Sequence, residues 1–192
     1  MASAPAIENR TFARSPESRA FETFWRSLRG ENLVPARENF HPGKARNLIS
    51  DLVLVDSPDK SGASLRIRVT GGRFNDLIGH DLTGCNPHDL LPLAHRAGAI
   101  ESTRLMFEMP CGVWQISPAH LVRGYAMHLE ITMLPLGPDT VGSHFLLVHV
   151  RSLGDLMSAH LPTPNGLGLD TATTFEFLDV GAGIPAWTAQ AA

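Results

Sequence analysis

An α+β domain with an antiparallel sheet is the fold class this sequence predicts, and three features predict it. Two short apolar runs around residues 51–71 and three longer ones beyond residue 110 read as strands, with plain alternation in LRIRVTG and from Met127 to Met133. Between the two sets, residues 73–110 carry helical segments and no strand pattern. Turn-forming residues separate strands within each set, SPDKSG in the first and GPDTVG in the last. Helices gathered in the middle, instead of following every strand, argue against a doubly wound parallel sheet.

Taken in order, SPESRAFETFWRSLRG begins with Ser15 as a helix cap and Pro16 at the first helical position, with Glu17 and Glu22 toward the positive end. Phe21, Phe24, Trp25 and Leu28 recur at three- and four-residue steps and make one apolar face. That face must be buried, either on its own domain or in a dimer, and Gly30 ends the helix. ENLVPARENFHPGKARNLISD reads as a loop with a short helix near Ala45–Ile49. DLVLVD and LRIRVTG form a hairpin, with Leu65, Ile67 and Val69 on one face and Arg66, Arg68 and Thr70 on the other. RFNDLIG and NPHDLLP are short helices. PLAHRAGAIESTRLMFEMP is a longer one that turns Leu93, Ala97, Ile100 and Met106 inward and stops at Pro110. CGVWQISP, GYAMHLEITMLPLG and SHFLLVHVR are the last three strands, and in the middle one Met127, Leu129, Ile131 and Met133 alternate with His128, Glu130 and Thr132.

The organisation that follows is a flexible arm at 1–16, a helix at 17–30, a core domain at 31–153 and an extension at 154–192. In that extension TTFEFLDV either adds a strand or lies along the surface, and AWTAQAA is expected to fray. A chain of 192 residues suits one domain with extensions, and 43% apolar with 18% charged residues is the balance of a soluble globular protein. The net charge of -3 gives no electrostatic case for nucleic acid. Cys85 and Cys111 share no CxxC spacing and imply a reducing compartment. MASAPAIENRTFARS lacks the apolar core of a secretory signal, and FLLVHV is too short to span a bilayer. A cytoplasmic protein without a membrane role is expected.

The pieces Trp25–Gly30 (WRSLRG), Pro35–Arg37 (PAR), Arg68–Phe74 (RVTGGRF) and Leu134–Leu136 (LPL), in this order and spacing, resemble a family of short stand-alone bacterial PAS-like proteins. The resemblance covers roughly residues 21 to 151. It implies a five-stranded antiparallel PAS sheet with helices on one face, and a role in signal sensing or protein interaction. It carries over no catalytic residue. Gly71, Gly72, Gly79 and Gly84 then serve as turn devices that let the chain leave the second strand and build a cup. GGRF is not GxGxxG, and no Walker pattern occurs.

Candidate sites follow from that cup. Ile67, Val69, Phe74, Ile100, Trp114, Leu129, Ile131 and Leu147 are candidate lining residues of a ligand pocket, with filled core as the competing reading. Phe21, Phe24, Trp25 and Leu28 are candidates for a homodimer interface. His95 lies on the long helix, where some PAS domains ligate haem, but a lone histidine near a helix start argues against haem here. Flavin photochemistry needs Asn-Cys-Arg, and TGCNPHD reverses that order. The nine histidines show no HExxH or Cys/His cluster, so no metal is expected. Arg66, Arg68 and Arg73 form either an anion site or a face paired with Asp51, Asp56 or Glu130. The expected function is a non-enzymatic regulatory module that binds a small molecule, an unidentified signalling partner, or both, with the sheet's outer face or the first helix reporting the event. The alternatives are a ligand-free interaction scaffold and a small cup enzyme using His149 or Glu130 as acid or base.

Overall fold

The computed structural model describes residues 12–121, 125–154, 157–158 and 167–187. Most of the arm expected at 1–16, and most of AWTAQAA, lie outside the described residues. Helix α1 (Pro16–Leu28) begins as its cap predicts: the Ser15 hydroxyl accepts from the Ser18 N–H, with Pro16 in the first turn. Three short 3-10 turns between residues 37 and 51 replace the single short helix expected near Ala45–Ile49.

The sheet is antiparallel throughout. Strands β1 (Leu52–Ser57) and β2 (Arg66–Thr70) form the hairpin, and the helices α2 (Gly72–Ile78) and α3 (Leu93–Glu108) follow. Strands β3 (Cys111–Leu121), β4 (Tyr125–Leu136) and β5 (His144–Ser152) return antiparallel to one another. The order across the sheet is β2-β1-β5-β4-β3, so the first and last strands of the core lie side by side. The extension adds β6 (Met157–Ser158) beside β4, and β7 (Leu167–Leu169) and β8 (Thr174–Asp179) along the edge of β3. Of the two readings of TTFEFLDV, the strand is the one observed. An otherwise free edge of β3 is paired instead of left as a template for aggregation.

Two apolar cores lie on the two sides of this sheet. The inner one joins Ile67, Phe74, Ile78, Leu82, Met106, Phe107, Leu129 and Ile131 under the helical middle. The outer one joins Phe21, Trp25 and Leu28 of α1 to Leu54, Trp114, Ile116, Leu134 and Leu147. Burying such side chains contributes about 1.5–3 kcal/mol each, so α1 is a structural layer and not an appendage.

Three local expectations are corrected. Val69 does not share a face with Leu65 and Ile67: Leu54 pairs with Val69 while Val55 pairs with Ile67, so Arg68 is an extra residue in β2. One extra residue inverts the side-chain parity beyond it, and Val69 ends 55% exposed. Helix α3 turns Ser102, Thr103, Met106 and Phe107 inward, while Leu93 is 81% exposed. The hydroxyls of Ser102 and Thr103 tolerate burial because both donate to the Ala99 carbonyl. Gly71 holds an ordinary extended φ of -70°; a Cβ there would sit 2.4 Å from the Ile49 and Ser50 carbonyls, so close approach is what demands glycine. Gly79 and Gly84, at φ +88° and +89°, are the left-handed turns.

Candidate functional site

The cup formed by the inner sheet face, α2 and α3 collects Ile67, Phe74, Leu129 and Ile131 of the expected lining residues. Ile100 is half-buried on α3. Val69 is exposed beyond the bulge, and Trp114 and Leu147 belong to the outer core. The parity of β3 and β5 explains the last two: Val113 and Leu146 take the inner face, so their neighbours point outward. In β5 both faces are apolar, and sequence alone does not orient such a strand.

The outer face carries a buried polar cluster, and α1 sits on it. Glu130 is fully buried and comes from β4, between the inward Leu129 and Ile131. Its carboxylate accepts from the Ser15 N–H at 2.9 Å, from the Ser15 hydroxyl, and from the Trp114 indole N–H at 2.8 Å. Ser18, one turn along, shares a hydrogen bond of 2.6 Å with Thr132. Arg14 donates to the Ser18 hydroxyl at 2.8 Å and pairs with Glu22 at 2.5 Å, holding the Glu22 carboxyl below the usual range against the opposing effect of burial, the largest single influence on it. At the middle of the helix the Trp25 indole donates to the Pro135 carbonyl at 2.7 Å. A carboxylate at a helix N-terminus suits the exposed N–H groups and the positive dipole end there. The sequence presents Glu130 as one polar residue in an alternating strand, and only its partner 115 residues away gives it this role.

His149 is 2% exposed and stacks on Phe21, with ring centroids 5.5 Å apart. Among the described residues its buried Nδ1 has no hydrogen-bond partner. Burial pushes its pKa below the ordinary histidine value, against the pull of Asp51 and Glu130. His149 and Glu130 are therefore not acid–base groups inside the cup; both lie on the opposite face, sealed under α1. The arginines take the paired reading: Arg66 and Arg68 reach Asp56 at 3.2 and 3.5 Å, and Arg73 binds Asp51. His95 contacts Thr171, and His120 contacts Asp170 at 2.9 Å, so the extension engages both. Burial pushes the Cys111 thiol up to about 12, which keeps it protonated.

The residues proposed for a dimer face are placed by the monomer. Phe21 and Trp25 are fully buried in their own outer core, Leu28 nearly so, and Phe24 is half-buried against Phe40. A groove of about 1040 Å³ opens elsewhere, at the β1–β2 end of the sheet. Leu65 and Leu90 line it together with Asp56, Arg66, His80, Asp81, Cys85 and Asn86. Sequence reasoning passed over it because its walls come from four separate segments.

A family model described as a PAS domain matches residues 13–147. That span takes in α1, the hairpin, the helical middle and most of the last three strands. The chain belongs to the PAS domain family. PAS membership fits the strand order and the curled antiparallel sheet, and it includes α1 in the family's matched length. Among solved structures, a fungal LOV domain photoreceptor is similar at 22% identity and a TM-score of 0.42, over 53% of this chain and 73% of that one. No curated protein matches. Among the described residues, no helix is long and apolar enough to cross a membrane.

Proposed function

We propose that this PAS protein is a regulatory module of signal transduction, and that the docking of α1 on the outer sheet face is its output. The observation that carries this reading is the seat of α1. An apolar interface is built around one buried carboxylate, and the donors to Glu130 come from the helix cap Ser15 and from Trp114. A ligand that binds the docked and undocked forms with different affinity shifts the docked population by that difference. The input is a small polar molecule or a protein partner. The groove beside Arg66 favours the small molecule, since about 1040 Å³ lined largely by polar and charged side chains suits a polar ligand.

The test is native mass spectrometry on the protein as purified from cells. A discrete added mass that an Arg66→Ala variant fails to retain supports the groove. Bare-chain mass in both, with no change in α1 protection on adding cell metabolites, removes the small-molecule input. A scaffold acting through a protein partner is the second reading, and the continuous inner core that joins Phe74, Met106 and Ile131 favours it.

A further inference from the structure

We propose that α1 and β8 dock as one cooperative unit, so that the C-terminal strap sets whether the N-terminal helix stays on the sheet. The inference rests on reading α1 as the output element, and it supplies that element's regulation. Strand β8 pairs with β3 from Cys111 to Ile116, which places Glu176 opposite Trp114. Its end then runs into the α1 core: Leu178 and Val180 are buried in the same cluster as Phe21, Trp25 and Leu28.

Polar contacts fasten the same junction. Arg26 donates to the Asp179 carbonyl at 3.0 Å, and Arg29 donates to the Val180 carbonyl at 2.9 Å. Glu22, one turn back, holds the Arg26 guanidinium in place at 2.8 Å. The Asp179 carboxylate accepts from the N–H groups of Gly181 and Gly183 at 2.7 and 2.9 Å, which fixes the turn that presents those carbonyls. The last turn of α1 is where cationic side chains suit the helix, and here they are spent on the strap. Helix α1 is therefore held at both ends as well as at its middle, where Trp25 bonds to Pro135. Its N-terminus is fixed to β4 through Glu130, and its C-terminus to β8. Among the described residues β8 pairs with β3 alone, so loss of β8 removes part of the α1 seat, and loss of α1 removes the cover from Leu178 and Val180. Linkage makes that effect mutual.

Hydrogen–deuterium exchange on the full chain tests this. In Arg26→Ala/Arg29→Ala, which spares every core side chain, amides of both 16–28 and 174–179 should exchange about tenfold faster, the effect of two lost hydrogen bonds. Amides of β5 should keep their protection. Faster exchange in one segment alone, or in neither, overturns the proposal. The second variant is Ser18→Ala, which loosens α1 at the end far from the strap by removing the Thr132 contact. Coupling predicts faster exchange in β8 as well; a change confined to α1 overturns it. Neither result depends on a ligand being found, so the regulation and the input of the proposed function fail separately.

Discussion

Glu130 shows how one residue acquires meaning from partners far away in sequence. Three donors converge on its fully buried carboxylate. Glu130→Ala should destabilise the protein by about 2–4 kcal/mol in urea unfolding, because the Ser15 and Trp114 donors stay buried and unpaired. Glu130→Gln, which keeps the volume and one acceptor oxygen, should cost less; equal losses would mean that packing and not hydrogen bonding sets the effect. His149 makes a prediction about pH. Its pKa is lowered in the folded protein, so the unfolded chain takes up the proton first as pH falls. The stability it contributes is complete above the unfolded value of about 6.5 and is lost as pH falls through the folded one, at a limiting slope of about 1.4 kcal/mol per pH unit. His88 is lowered in the same sense by burial, against its hydrogen bond to the Gly62 carbonyl, and shares the window. Unfolding free energies measured from pH 7.5 to 5 should therefore fall less steeply in His149→Phe than in the parent. Parallel curves would show that His149 is not a source of the slope.

At the scale of the element, the bulge at Arg68 decides which β2 side chains matter. Ile67→Ala should cost about 2–4 kcal/mol, whereas Val69→Thr should stay within about 0.5 kcal/mol, both read from thermal or urea unfolding. A large loss at Val69 would place it in the core after all and contradict the register. The same contrast applies along α3, where Met106→Ala removes a core side chain and Leu93→Ser touches solvent. Periodicity located α3 correctly, but its face was illegible. The inward positions include Ser102 and Thr103, polar residues that a hydrophobic pattern cannot score, while an exposed leucine stands at the helix start. α1 is the opposite case. Cap, first-turn proline and apolar stripe are all local signals, and all three agree with the helix observed.

For the whole molecule, α1 and the extension complete a sheet that would otherwise be half covered. Deleting residues 1–30 should expose Trp114, Ile116, Leu134 and Leu147 together, giving an insoluble product or strong binding of a hydrophobic dye. A soluble truncated protein that binds no dye would mean that another surface covers this face. The α+β class, the number of core strands, the helical middle and the resemblance to PAS proteins were legible in the sequence, because strand and helix periods and turn residues act over a few neighbours. So was the capacity of TTFEFLDV to form a strand. Tertiary structure alone decided which face of β5 looks inward, where the bulge inverts β2, what α1 covers, and how segments from four parts of the chain enclose the groove. Each of those depends on contacts between residues distant in sequence, where hydrogen-bond partners and excluded water, not local preference, choose the outcome.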